Sequence, residues 1–231
     1  MGNELLQQKN KFKEIISAVI LCAGEGTRLK KITKTTPKPL IKIEKFKNIP
    51  ILLHTINNLV NLEIEQIGIV IGYLGKKISN FISNLIKEND VLQEKLQIIN
   101  AKKQYKFGPL YSFLSITKNK NFFTKDHYYL VIPGDTVFET NILVEVLNLI
   151  SNNYALIEKF PFLFYRNIEI SKLIELYSID RFISNAEIEI LDSNFILKKI
   201  SILKVDEIPH RDTINQIIPI IGLNYNAVIE I

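Results

Sequence analysis

Apolar residues along the chain fall into two kinds of run. Short stretches bounded by charged or turn-forming residues recur at Ile15–Leu21, Gln66–Ile71, Leu96–Ile99 and Tyr128–Ile132. Continuous apolarity over so few residues is what a strand buried on both faces requires. Between them the spacing changes to threes and fours. Ile51–Val60, entered through Pro50, predicts a helix, as does Lys76–Lys87 with Ile78, Phe81, Ile82 and Leu85 along one side. Leu110–Ile116 and Asn141–Ile150 predict two more. Strands and helices in alternation build βαβ units, and these wind into an α/β fold with a mostly parallel, doubly wound sheet. Ligands in such sheets bind beyond the carboxyl ends of the strands. That rule places the chemistry near Cys22–Arg28, Gly72–Gly75, Asn100–Gly108 and Gly134–Thr136.

Beyond residue 150 the pattern turns to period two. Ala186–Leu191 and Phe195–Ile200 flank Asp192-Ser193-Asn194 and predict a β-hairpin, and Ile217–Asn224 predicts a further strand. The core therefore carries a β-rich C-terminal extension. Phe160, Phe162, Phe164 and Tyr165 are expected to be core residues. Residues 1–14 are polar and read as an N-terminal arm. With no internal repeat and no long linker, 15–231 is expected to be a single domain.

Composition narrows the classes. Hydrophobic residues make up 47% and charged residues 23%, which is globular rather than disordered. The 29 basic against 24 acidic residues leave a net charge of +5. The basic residues are not interleaved with aromatics, so nucleic acid is not the expected partner; a modest positive excess suits small anionic substrates. The lone Cys22 excludes a disulfide framework. No uncharged apolar run reaches the ~18 residues of a membrane span. The opening Met-Gly-Asn-Glu-Leu-Leu has neither a signal-peptide core nor the Ser/Thr of a myristoylation site. A cytoplasmic protein without a membrane partner is the expectation.

The most informative segment is Leu21-Cys22-Ala23-Gly24-Glu25-Gly26-Thr27-Arg28-Leu29, followed by Pro37-Lys38-Pro39-Leu40. A strand running into Gly-x-Gly can bring backbone N–H groups against a polyphosphate, where a Cβ would block the approach. Arg28 and Lys38 add fixed positive charge beside it. A bare Gly-x-Gly also suits a strand-to-helix turn with no ligand. No third glycine completes a dinucleotide fingerprint, and no Gly-Lys-Ser/Thr completes a P-loop. Asp135 closes an apolar strand at the ligand-binding edge, where a carboxylate suits a hard cation or simply caps the turn. His54, His127 and His210 have no metal-ligand spacing, and Cys22 suits small-residue packing.

Gly24-x-Gly26-Thr27-Arg28-Leu29 with Pro37-Lys38-Pro39-Leu40 resembles the signature of the nucleotidyltransferases. That family includes NDP-sugar pyrophosphorylases and the cytidylyltransferases that activate phosphocholine, and the resemblance covers about two-thirds of the chain. It implies a Rossmann-like fold in which Leu21, Ala23, Gly24, Glu25, Gly26 and Thr27 wrap a nucleoside triphosphate. It makes Arg28 and Lys38 the catalytic cations and Asp135 the ligand of Mg2+. It also gives the loop at Gly108 the task of holding the base, with Gln104 and Tyr105 beside it. Gly108-Pro109-Leu110, with Leu114-Ser115-Ile116 and Pro133-x-Asp135-Thr136, resembles the molybdenum-cofactor guanylyltransferases instead.

The implied reaction moves NMP from an NTP to a small phosphorylated acceptor, such as a sugar 1-phosphate or a phosphocholine-like group, and releases pyrophosphate. A guanylyltransferase of the molybdenum-cofactor type and a non-catalytic nucleotide-binding module are the alternatives, and homo-oligomerisation is left open. The chain departs from the family at Val205-Asp206-Glu207-Ile208-Pro209, where Asp206 replaces an acceptor-binding lysine and Lys204 or Arg211 is the nearby substitute. It also ends at Ile231, before the family's closing helix and second metal-binding aspartate, so either the family's C-terminal end is missing or Asp212 or Glu230 contributes from an unusual place.

Overall fold

The computed structural model describes residues 15–26, 30–44, 47–177, 181–191, 194–208 and 213–231. Where the sequence groups 15–231 as one domain, the chain packs as two compact units. One runs up to Phe162 and takes in Ile221–Ile231; the other is Leu163–Ile220.

The first unit is built on β1 (Ile16–Cys22), of which every residue but Leu21 is buried. After it come α1 (Lys30–Thr33), a small antiparallel pair β2 (Lys42–Ile43) and β3 (Ile49–Pro50), and α2 (Ile51–Asn61). Next are β4 (Gln66–Ile71), α3 (Gly75–Lys87), α4 (Asp90–Lys95) and β5 (Leu96–Asn100). The unit continues with α5 (Pro109–Phe113), β6 (Tyr128–Pro133), α6 (Thr140–Asn152) and α7 (Tyr154–Ile157). The strand order is β5-β4-β1-β6, all parallel, and the last residues of β10 (Thr213–Asn224) add antiparallel to β6. The doubly wound sheet read from the sequence is therefore present.

Burial explains the unbroken apolar runs. Val19, Val70, Ile99, Phe113, Phe122 and Tyr129 meet in one core cluster. The Tyr129 hydroxyl accepts from the Thr124 amide at 2.7 Å and donates to the Thr124 carbonyl at 2.9 Å, so the buried phenol is satisfied. Gly68 in β4 lets Phe122 pack close, for a Cβ there would lie 2.6 Å from the ring. On α2, the buried Asn58 donates to the Phe138 carbonyl at 3.2 Å and accepts from Thr140 Oγ1 at 3.1 Å. His54 Nε2 lies 3.2 Å from the same carbonyl. These bonds fasten the segment that follows β6, and so bear on where Asp135 stands.

In the second unit, β7 (Phe162–Glu169) enters at the boundary and is followed by α8 (Ile170–Leu176), β8 (Phe182–Leu191) and β9 (Asn194–Lys204). β7 pairs with β10, β10 meets β8 at Gln216 and Asn185, and β8 and β9 form a long hairpin with an irregularity at Glu187/Ile188. Its core joins Ile168, Leu173, Ile183, Val205 and Ile214.

Three expectations need adjustment. The helix predicted over Leu110–Ile116 is α5, which tightens into a 3-10 helix at Leu114–Lys118. The hairpin strands run well beyond 186–191 and 195–200. Phe164 is a core residue as expected, but Phe160 is 60% exposed. A final helix, α9 (Tyr225–Glu230), follows β10 and is capped by Asn224, whose Oδ1 accepts from the Ala227 amide at 2.7 Å. Among the described residues no helix is long and apolar enough to cross a membrane.

Candidate active site

The carboxyl ends of β1 and β6 are drawn together by one backbone bond, from the Gly134 amide to the Leu21 carbonyl at 2.9 Å. No side chain fits at Gly134, since a Cβ would lie 2.5 Å from Cys22 Sγ and 2.8 Å from the Leu21 oxygen. Asp135 is thereby held at the mouth of the sheet. Beyond Cys22 the chain turns through Ala23–Gly26, tied down by the Tyr73 amide, which donates to the Ala23 carbonyl at 3.0 Å. Gly26 has φ +66°, and a Cβ there would meet Thr33 Cγ2 at 2.9 Å and the Lys38 stem at 3.0 Å. Thr33 Oγ1 donates to the Gly26 carbonyl at 3.0 Å, fixing the turn from the other side.

Lys38 enters from a stiff segment. Pro37 is extended, and Lys38–Leu40 forms a 3-10 turn with Pro39 buried. This sets Lys38 Nζ 3.0 Å from Asp135 Oδ2, with the two side chains 18% and 41% exposed. An ion pair open to water in this way adds only about 0–1 kcal/mol of stability. Its consequence is position: a fixed cation and a fixed carboxylate share one edge of a glycine-lined cleft.

That cleft has a volume of about 310 Å³ and is lined by Leu21, Cys22, Ala23, Gly24, Gly26, Lys38, Pro39, Tyr105, Gly108, Pro109, Ser112, Pro133 and Asp135. On its far side Gly108, at φ +112°, opens α5, and its carbonyl accepts from both the amide and the hydroxyl of Ser112 at 3.1 Å. Tyr105 stands against Gly72 and Ala23: a Cβ at Gly72 would lie 2.8 Å from the Tyr105 ring and 2.9 Å from Ala23 Cβ. Three separate strand ends thus converge on one space.

Of the residues singled out in the sequence, Leu21, Ala23, Gly24, Gly26, Lys38, Gly108 and Asp135 line the cleft together. Glu25 is exposed and is not part of the lining. Thr27 and Arg28 lie outside the described residues, as do His210, Arg211 and Asp212. Pro109, Ser112 and Pro133, beside Gly108 and Asp135 in their motifs, complete the lining. Burial pushes the Cys22 thiol well above its ordinary range, and the Asp135 charge adds to this, so Cys22 stays a neutral packing group. Lys204 Nζ is 2.7 Å from Asp206 Oδ2, an ion pair inside the second unit.

Metal binding by protein side chains alone has no candidate among the described residues, where no group of three His, Cys, Asp or Glu converges. A single open carboxylate does fit Mg2+, which keeps several waters and takes other ligands from substrate phosphates.

A family model described as nucleotidyl transferase matches residues 17–159. The chain is 37% identical over 133 residues to the bifunctional protein GlmU of Methanococcus maripaludis, covering 58% of this chain and 28% of that protein. It is 44% identical over 66 residues to a 2-aminoethylphosphonate cytidylyltransferase of Lancefieldella rimae, covering 29% of this chain and 26% of the relative. It is 28% identical over 127 residues to the UTP–glucose-1-phosphate uridylyltransferase AglF of Haloferax volcanii, covering 55% and 46%. The chain thus spans little more than a quarter of the GlmU proteins it matches. The crystal structure of UDP-glucose pyrophosphorylase complexed with UDP-glucose shares the fold, with a TM-score of 0.61 at 15% identity over 92% of this chain and 77% of the other. The model covers well over half of the sequence and all the described strand ends that form the cleft, and the chain belongs to the nucleotidyl transferase family.

Proposed function

We propose that the cleft binds a nucleoside triphosphate and transfers its NMP to a small phosphorylated acceptor. An oxygen of the acceptor phosphate attacks the α-phosphorus, the bond from that phosphorus to the bridging oxygen breaks, and pyrophosphate leaves. The observation that carries this reading is the Lys38–Asp135 pair at the edge of a cleft floored by Gly24 and Gly26. Two anions must meet, and each pair of unit charges at 4 Å repels by about 4 kcal/mol at an effective dielectric near 20. Catalysis of this step is therefore mostly fixed charge and position.

The roles divide by chemistry. Lys38 offers a point charge to the phosphates, and Arg28, by its place in the motif, a second. Gly24 and Gly26 let the backbone approach the triphosphate, and Gly108 with Tyr105 borders the space for the base. Asp135 is the residue that would hold Mg2+, an ion that neutralises charge on the reacting phosphates when bound. The names of the relatives support a phosphate monoester or a phosphonate as acceptor, of the kind used in making NDP-sugars or CDP-linked head groups. The single buried thiol suits a reducing, cytoplasmic compartment.

Purified protein with Mg2+, each of the four NTPs and a panel of sugar 1-phosphates, phosphocholine and 2-aminoethylphosphonate is expected to release pyrophosphate with one pairing. NTP binding without pyrophosphate release across the panel would replace this reading with a nucleotide-binding module. No NTP binding at all would remove both.

A further inference from the structure

The hairpin of β8 and β9 has a face on which, the buried Ala186 apart, large apolar side chains stand exposed. Its pairing runs Phe182 with Lys204, Ser184 with Ile202, Ala186 with Ile200, Ile188 with Leu197 and Ile190 with Phe195. Partners in a ladder share a face and alternate residues return to it, while the irregularity at Glu187/Ile188 absorbs the extra residue of β9 and keeps the register of faces. One face thus collects Phe182, Ile190, Phe195, Leu197, Ile200 and Ile202, each between 40% and 72% exposed. The opposite face holds Ile183 and Leu203 in the core of the second unit, and Glu187, Lys199, Glu189 and the exposed Ile196 towards the turn. The hairpin is amphipathic with its apolar side outward.

We propose that this face is a homodimer interface, in which the same apolar face of a second copy of the chain packs against it about a twofold axis. Three observations select that occupant. The six side chains expose on the order of 700 Å² together, close to the ~800 Å² that each partner gives to a stable interface and above the patches common on monomers. The charges along the hairpin are already matched locally: Lys198 lies 2.5 Å from Glu189, Lys199 lies 3.7 Å from Glu187, and Lys204 bonds Asp206, just past β9, at 2.7 Å. Two identical copies can therefore approach without like-charge repulsion, whereas an acidic partner or an anionic lipid surface finds no unmatched run of lysines here. Finally, β9 ends the strand order of its sheet, so no described strand flanks the patch on its outer side.

The test is the mass of the full chain in solution across 1–100 µM, by sedimentation equilibrium. The native chain is expected at twice its monomer mass in the upper part of that range, and the double variant Ile200→Glu/Ile202→Glu as a monomer, its association weakened at least about 100-fold. Both substituted residues are exposed, and near-UV circular dichroism checks that the variant keeps its fold. A second measurement needs no variant: amide exchange in Phe182–Lys204 should slow as the native protein is concentrated, while exchange in β1 and β4 should not change. A native chain that stays monomeric throughout, a variant that still dimerises, or slowed exchange confined to other segments overturns the proposal. Binding to phosphatidylglycerol vesicles by a monomeric native chain would assign the face to a lipid surface instead.

Discussion

β1 and β9 are both strands rich in isoleucine and leucine, and they meet opposite fates. In β1 every residue except Leu21 is buried; in β9 residues 195–200 are all exposed. β1 has strands on both edges, so its neighbours and the layers above and below consume its apolar surface. β9 is an edge strand, and one face of its hairpin leaves large apolar side chains exposed. Apolar sequence reports that a face will be covered. It does not report whether the cover belongs to the same chain.

The strongest way to break the contrast is to show that a residue at the β1/β6 edge is as replaceable as one in the hairpin. Asp135→Ala is expected to lower Mg2+-dependent turnover by at least about 10³-fold while leaving nucleotide binding without Mg2+ nearly intact. Pyrophosphate release titrated with Mg2+, beside NTP affinity with and without the ion, reads both effects. Unchanged Mg2+ dependence in the variant would reduce Asp135 to a turn residue. Lys38→Met should follow at about 10²–10³-fold in turnover. Its thermal stability should barely move, because the exposed pair with Asp135 contributes little. A large loss of stability with normal turnover would make Lys38 structural.

Stability can sharpen the same comparison. Gly68→Ala puts a Cβ 2.6 Å from the Phe122 ring inside a packed core, an overpacking that typically costs about 1–3 kcal/mol. Ser184→Val, on the exposed apolar face of the hairpin, should stay within about 0.5 kcal/mol for the monomer. Urea unfolding of both variants at low protein concentration gives the two numbers. If they prove equal, burial does not separate the two regions.

Much of the first unit was legible because its signals are local. Unbroken apolar runs mark β1, β4, β5 and β6, and glycines mark where they end. The convergence of Gly24, Lys38, Gly108 and Asp135 followed from the rule that ligands sit beyond strand ends, combined with the resemblance. Other features were not legible because they depend on distant partners. The anchoring of the Phe138 carbonyl by Asn58 joins residues eighty positions apart. The period-two pattern marked the hairpin, but which of its faces would be left bare depended on the paths of β7 and β10. The break of the 110–116 helix at Phe113 is a change of hydrogen-bonding pattern that apolar spacing does not encode.

A small, pH-dependent effect is expected at the other end of β6, away from the cleft. His127 Nδ1 lies 2.8 Å from Ser17 Oγ, and that hydroxyl donates to Gln66 Oε1 at 3.2 Å. The hydroxyl proton is thus spent on Gln66, and a neutral imidazole bearing its hydrogen on Nδ1 can donate to Ser17. Burial lowers the His127 pKa, with the Asp126 charge opposing it. Between the unfolded value near 6.5 and the lower folded value, the unfolded chain binds more protons. Stability should therefore be level above that window and fall as the pH drops through it. Allowing for the partial exposure of the ring, the loss should stay under about 1 kcal/mol. Replacing the imidazole by a group that does not titrate, in His127→Gln, should remove this component while the carboxylates continue to act. The difference in unfolding free energy between native and variant chains, measured in urea at pH 7.5, 6.5 and 5.5, should narrow steadily in favour of the variant. A constant difference would show that folding leaves the His127 pKa unchanged, and one that widens in favour of the native chain as the pH falls would show that the fold favours the imidazolium.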